Sequence, residues 1–319
     1  TIKTWDDVDA LLSKVKTAYP DMNLLVPPVV NDGILNGMVS TKLEEIQSGA
    51  GISFSSTDTK AVNIYATDEY KEICERAYDW NQKGYFLPDA ATNTETRNSL
   101  ISAGNAFGYI VGSMSPGFIT QETNSNGTEM VGTYIGDSTL TTSNVSFAQW
   151  TVPTACENPE KALAFLNLLY SDPEIQNLFL YGVEGTDYQV KDAAKDIIGF
   201  PDGKDSSTVG YTNQTWISGN ASIAHIWETD SPTVWTDLAD FNNNAKKSAL
   251  YGFAYDTSNI RNEITAISNV KSKYCAILES GMADVEETLG KFNSELESAG
   301  IQNVIDDMQS QIDAWAKSK

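Results

Sequence analysis

One histidine, three cysteines and a surplus of acids are the side chains from which any reaction of this 319-residue chain would be built. His225 stands between Ala224 and Ile226, and no Ser-His-Asp set or metal-binding cluster assembles around it, so it reads as structural. Cys74, Cys156 and Cys275 lie far apart, without the CxxC or Cys/His spacing of a zinc site, and an odd number cannot complete a disulfide set. They read as isolated thiols. With 43 Asp and Glu residues, carboxylate pairs can be found anywhere, and no pair by itself marks a glycosidase. "SGAG" (Ser48–Gly51) lacks the spacing of a phosphate loop. No catalytic residue, metal or cofactor is expected.

The charge balance narrows the partners. Only 21 Lys and Arg residues oppose the acids, giving a formal net charge of -22, and the arginines are Arg76, Arg97 and Arg261 alone. Such a chain is repelled by phosphate backbones and by anionic membrane surfaces. No apolar run approaches the length of a membrane span. Asn-x-Ser/Thr sequons at Asn126, Asn144, Asn213 and Asn220 carry little weight in so Asn- and Thr-rich a chain. The sequence opens at Thr1 on a helix signal with no signal peptide ahead of it, which reads as a processed or truncated piece or a missing beginning.

The elements alternate as an α/β protein requires. Thr4 and Asp7 form a capping box ahead of Val8, Leu11, Leu12 and Val15 on one helix face. "MNLLV" (Met22–Val26) reads as a buried strand, followed by a Gly-rich loop, and "GISFSS" and "AVNIYAT" read as a hairpin. A helix from about Glu69 turns Tyr70, Ile73, Ala77 and Trp80 inward and stops at Gly84. "NAFGYIVGS", "MVGTYIG" and "SNVSFAQWTVP" read as further strands, and "MSPG" as the approach to a helix. Two helices follow: Asn158 caps the first, whose buried stripe is Ala162, Phe165, Leu166 and Leu169, and Ser171 with Glu174 forms a capping box for the second. Between Tyr181 and Asn244 the signals weaken. A helix over Ser258–Glu279 and a last amphipathic helix through Ile301, Val304, Ile305, Met308, Ile312 and Trp315 close the chain. Trp5, Trp80 and Trp315 fall on helix faces and are assigned to packing.

"QWTVPTACENPEKALAFLNLLYSDPEIQNLFLYGVEGTDY" (Gln149–Tyr188) resembles the extracellular solute-binding lipoproteins of bacterial ABC importers, in the maltose-binding-like sugar-receptor class. The resemblance is to a subgroup marked by a strand ending near proline, "NPEKA", a "FLN" helix, "SDPE" and "YG-EG--Y". "KTWDDV" (Lys3–Val8), "TDEYKEICERAYDWNQKGYFLPDAA" (Thr67–Ala91) and "FNNNAKKSALYGFAYDTSNIRNEITAISNV" (Phe241–Val270) extend it over nearly the whole chain. It implies a type II periplasmic-binding fold, two α/β lobes joined by crossover strands with ligand in the cleft between them. On that map residues 1–145 form the second lobe, and 146–252 return to the first after a crossover strand at Ser146–Pro153. Residues 253–319 cross near Phe253–Thr257 and pack back on the second lobe. The first lobe is then incomplete in this chain.

The resemblance also implies the function: capture of a small solute, an oligosaccharide, by hinge closure at the cell surface. The protein would be an extracellular monomer that serves permease subunits and meets the membrane only through a lipid anchor absent from this chain. Sugars present apolar C–H faces rimmed by hydroxyls, so flat aromatics beside neutral or acidic hydrogen-bonding groups suit them. The candidates on this map are Gln149 and Trp150 on the crossover, Tyr188, Tyr211, Asn213 and Trp216 in the returning segment, Tyr255 and Asp256 at the last crossover, and Met114 after a strand end. A secreted glycosidase and a surface carbohydrate-binding module are the competing readings.

Overall fold

The computed structural model describes residues 2–56, 58–137, 139–205, 208–211, 213, 215 and 217–319. In chain order its first elements are α1 (Trp5–Ala18), β1 (Asn23–Leu25), α2 (Asn36–Lys42), β2 (Leu43–Gln47), β3 (Ala50–Ser53), β4 (Val62–Asn63), α3 (Asp68–Gln82), α4 (Arg97–Ser102) and β5 (Ala106–Gly108). There follow α5 (Phe118–Asn126), β6 (Thr139–Leu140), α6 (Thr142–Ser146), α7 (Pro159–Ser171), α8 (Pro173–Tyr181), β7 (Gln189–Asp192) and β8 (Ile197–Gly199). The last are β9 (Ile226–Trp227), α9 (Val234–Asn244), β10 (Lys246–Lys247), α10 (Arg261–Glu279), α11 (Val285–Ser298) and α12 (Ile301–Ser318). The chain divides into two compact units. Unit one holds Thr1–Met114, Glu122–Asn144 and Ala245–Lys319; unit two holds Ser115–Gln121 and Val145–Asn244.

In unit one β1 and β5 run parallel, with Asn23 opposite Ala106 and Leu25 opposite Gly108, and Phe86 adds a parallel bridge to Leu25. β2, β3 and β4 form an antiparallel sheet whose register shifts between Glu45 and Gln47. β6 and β10 pair in parallel, Lys246 opposite Thr139. The buried apolar side chains gather into two clusters. One joins β3 and α3 to α10, α11 and α12; the other joins α1, β1, α3 and β5. Helix α3 shows why these residues make this element. Thr67 caps it by accepting from Tyr70 N at 3.2 Å, Asp68 and Glu69 oppose the dipole, and Gly84 ends it at φ 70°. Tyr70, Ile73, Ala77 and Trp80 are all fully buried, and each large one contributes about 2–3 kcal/mol by leaving water.

Unit two contains the α7–α8 pair, α9 and the sheet β7–β8–β9, antiparallel at its first pairing and parallel at its second. Its buried apolar set includes Leu169, Leu180, Ile198, Ile226 and Val234.

Several expectations change. The segment taken as a Gly-rich loop after β1 contains α2 and β2; Glu44 points inward on β2 and interrupts the apolar alternation that marks a strand. "MVGTYIG" forms no strand, and Val131 within it is exposed. "SNVSFAQWTVP" is α6 followed by irregular chain, so the crossover strand expected at Ser146–Pro153 is absent, as is one at Phe253–Thr257; β6 and β10, which precede these stretches, pair with each other within unit one. Asn158 makes no side-chain cap bond, and α8 is capped by Asp172, not by Ser171. Asp172 directly precedes Pro173 and accepts from Glu174 N at 3.0 Å and Ile175 N at 3.2 Å. On α7 only Leu169 of the expected stripe is buried; Ala162 and Leu166 are half-buried and Phe165 is exposed. Leu11 on α1 is exposed as well. The capping box of α1 and the apolar stripe of α12 form as expected.

Candidate functional site

Parallel pairing of β1 and β5 brings the loops after their carboxyl ends to one edge of the sheet, the edge where open α/β sheets bind ligands. The loop after β1 has a fastened base and a free tip. Pro27 and Pro28 are buried, and the Pro28 carbonyl accepts from Arg97 Nη1 at 2.6 Å. Farther on, Leu35 N donates to the Glu279 carbonyl at 3.0 Å and Ile34 N to Ser280 Oγ at 3.2 Å. Between these fastenings Val29 is 59% exposed and Asn31 is exposed with φ 63°, in the left-handed region that Asn tolerates.

Beside it, Arg97 organises the exit of β5. Its Nη2 donates to Glu122 Oε1 at 3.1 Å, and its guanidinium lies 4.7 Å from the centre of the Tyr109 ring. Tyr109 donates its hydroxyl to Glu122 Oε2. Burial, and next the bond to Glu122, hold the Tyr109 hydroxyl well above its ordinary range, so it stays a donor. Met114, farther along the same exit, is half-buried and its carbonyl accepts from the Tyr134 hydroxyl.

In unit two, three of the expected residues meet around Phe179 on α8. Trp150 packs edge-on against the Phe179 ring at 6.3 Å, donates Nε1 to the Ile217 carbonyl at 2.9 Å and remains 48% exposed. The Phe179 carbonyl accepts both the Tyr211 hydroxyl and Asn213 Nδ2, each at 2.7 Å. Asn213 Nδ2 also reaches the Tyr211 hydroxyl at 3.2 Å. Gln149 is exposed on the same irregular segment as Trp150. Two rings with free area and an amide held in place can pair with the apolar face and the hydroxyl rim of a sugar. Trp216 lies outside the described residues.

Residues 249–317 match the family model described as a domain of unknown function, DUF3502. A carbohydrate ABC transporter substrate-binding protein of Streptococcus pneumoniae serotype 4 is 25% identical over 327 residues, covering 100% of this chain and 64% of that protein. The chain thus spans less than two thirds of that relative's length. The crystal structure of the N-glycan transport solute-binding protein NgtS from Streptococcus pneumoniae superposes with TM-score 0.81 at 20% identity, over 99% of this chain and 68% of that one. Its complex with Man5GlcNAc gives 0.75 at 22% identity, over 100% and 69%. The chain has a solute-binding-protein fold.

Within that solute-binding fold the remaining expected residues make contacts of their own. Tyr188 is buried, its ring 6.3 Å from Tyr181 and 5.7 Å from His225. The "YG-EG--Y" motif around it builds a tight turn. Val183 N donates to Asp187 Oδ2 at 2.9 Å, Gly185 N to the Tyr188 carbonyl at 2.7 Å, and any side chain at Gly182 (φ 81°) would collide with Asp187. His225 has structural partners: its N–H donates to Asn177 Oδ1 at 2.8 Å and its ring Nδ1 lies 2.6 Å from Asp196 Oδ1. In unit one, the Tyr255 hydroxyl lies 2.9 Å from Asp307 Oδ2 on α12, and Asp256 accepts from Ser258 N at 2.9 Å ahead of α10. These bonds serve packing and turn formation. No group of three or more His, Cys, Asp or Glu able to hold a metal occurs among the described residues. Sequence reasoning missed Val29, Asn31, Arg97, Tyr109 and Glu122; the available signal was that strand "MNLLV" is followed at once by Pro-Pro and an Asn-Asp-Gly turn.

Proposed function

We propose that this chain is the greater part of the substrate-binding component of an ABC importer, and that its solute is an oligosaccharide captured without turnover. The observation that carries this reading is the Trp150–Tyr211–Asn213 group around Phe179, two partly exposed rings beside a positioned amide in a solute-binding fold. Within unit one, the exposed loop tip at Val29–Asn31, at the carboxyl end of β1, is a candidate contact surface considered by itself. The relative named as a carbohydrate transporter component and the NgtS complexes with Man1GlcNAc and Man5GlcNAc support the sugar class. An extracellular, lipid-anchored monomer working with permease subunits belongs to the same proposal. No helix among the described residues is long and apolar enough to cross a membrane.

The test is thermal unfolding of the protein at its relatives' full length against a panel of oligosaccharides that includes Man5GlcNAc. A specific ligand at about 100 times its Kd stabilises the fold by about 2.7 kcal/mol. Trp150→Ala is expected to weaken binding about tenfold, the loss of roughly 1.4 kcal/mol of ring stacking, and to lower unliganded stability by about 1 kcal/mol through the lost Ile217 bond and Phe179 contact. No shift with any glycan overturns the proposal, and release of cleaved sugar overturns it in favour of a glycosidase.

A further inference from the structure

The base of the β1 loop is fastened to the most deeply buried acid of unit one. Glu279, the last residue of α10, is 2% exposed. Its Oε1 accepts the Tyr70 hydroxyl at 2.9 Å, and its Oε2 is buried with no hydrogen-bond partner. The side chain lies flat against Gly33, where a Cβ would collide with both its Cβ and its Oε2. Next in the chain, the Glu279 carbonyl and the Ser280 hydroxyl take the N–H groups of Leu35 and Ile34. Gly281 (φ 61°) then packs on the Ala77 carbonyl, and its own carbonyl accepts from Asn81 Nδ2 at 2.7 Å. The end of α10 is thus locked to α3 on one side and to Gly33–Leu35 on the other.

We propose that Glu279 is a positioning residue: its buried side chain, packed against Gly33, acts with its own carbonyl and the Ser280 hydroxyl to clamp Gly33–Leu35 and so sets the geometry of the Val29–Asn31 tip that meets solute. The part of the inference that concerns solute rests on the function proposed above; the clamp itself does not. Burial and the groups facing Glu279 keep its carboxyl group neutral. Tyr70 on α3 donates to it and favours the anion, but burial outweighs that bond, and Asp32 in the loop and Glu45 on β2 add like charge. Lys271 on α10 favours the anion but is itself paired to Glu45. Tyr65, Cys74 and Cys275 complete the surroundings and are uncharged, each pushed upward by burial first. The carboxyl is pushed up to about 8 from an ordinary 4.5.

The sign follows from linkage. When the clamp is closed the carboxyl keeps its proton up to about pH 8, and when the segment opens the hydrated group ionises near its ordinary 4.5. Opening therefore releases a proton between those limits and becomes about tenfold more frequent per pH unit, levelling off above the upper one. Amide hydrogen exchange at Ile34 and Leu35, corrected for the intrinsic pH dependence, reads this directly and needs no ligand. Protection is expected to fall about tenfold per unit between pH 5 and 8 in the native protein and to stay flat in Glu279→Gln. Tyr70→Phe removes a bond that favours the anion, so it is expected to move the levelling point to higher pH. Affinity for Man5GlcNAc should follow the same profile. Equal slopes in the native protein and Glu279→Gln overturn the clamp. Should that variant fail to fold, an unmoved levelling point in Tyr70→Phe overturns it equally. The expected exchange profile without any sugar binding leaves the clamp standing and sinks the proposed solute instead.

Discussion

Arg97 joins three parts of unit one that the sequence keeps far apart. It donates to the Pro28 carbonyl in the β1 loop, pairs with Glu122 on α5 and covers the ring of Tyr109 after β5. Removing it leaves Glu122, whose side chain is 9% exposed, as a buried carboxylate without its counter-ion. Because the arginine side chain is itself 24% exposed, Arg97→Met is expected to cost about 2 kcal/mol, below the roughly 3–5 kcal/mol of a fully buried broken pair. Arg97→Met with Glu122→Gln should recover part of that loss, since no charge is then stranded, and urea unfolding of the two variants checks it. A single variant within 0.5 kcal/mol of native, a difference of roughly the scatter for surface sites, contradicts this account. None of this network was legible in the sequence. Helical and strand periods report which side chains turn inward, but a partner such as the Glu122 of Arg97 is set by tertiary contact alone. Of the candidate binding residues, Trp150, Tyr211 and Asn213 share Phe179 as a partner, whereas Tyr188 is buried and Tyr255 is half-buried beside Asp307.

Elements were legible where local chemistry decides them. The capping box of α1, the buried face of α3 and the stripe of α12 need only neighbours within a few turns. Strands were less so, because a strand exists only if another backbone reaches it. "MVGTYIG" and "SNVSFAQWTVP" carry the β-branched and aromatic composition of strands yet form none, while β2 pairs although Glu44 breaks its pattern. That inward Glu44 accepts from the Ser248 hydroxyl, beside the β10 end, and burial raises its carboxyl above the usual range. The two helix starts of the α7–α8 corner offer a contrast to measure. Asp172 satisfies two N–H groups at the start of α8, whereas Asn158 makes no cap bond on α7. Asp172→Ala is therefore expected to lower stability by about 1 kcal/mol and Asn158→Ala by only a few tenths. Thermal unfolding of both variants decides this, and equal losses would mean that the cap geometry is not what holds the corner.

At the scale of the molecule, the two units are built to different degrees from their own side chains. Unit one contains both clusters of buried apolar residues, assembled from α1, α3, β1, β3, β5 and the three C-terminal helices. Unit two leaves Leu163, Phe165, Leu168 and Tyr170 on α7 and Leu178 on α8 exposed, together with Val145 and Phe147 ahead of them. A helix period shows which face is apolar but not what covers it, which is why the α7 stripe read as ordinary core. Exposed apolar side chains in this number favour association. The 319-residue chain alone is then expected to bind a hydrophobic dye such as ANS and to self-associate in light scattering. Replacing two of the exposed residues, Phe165→Ser with Leu168→Ser, should reduce both signals while the helical circular dichroism persists, because neither side chain is buried. If the unaltered chain is monodisperse and silent towards the dye, these exposed side chains do not make an association surface.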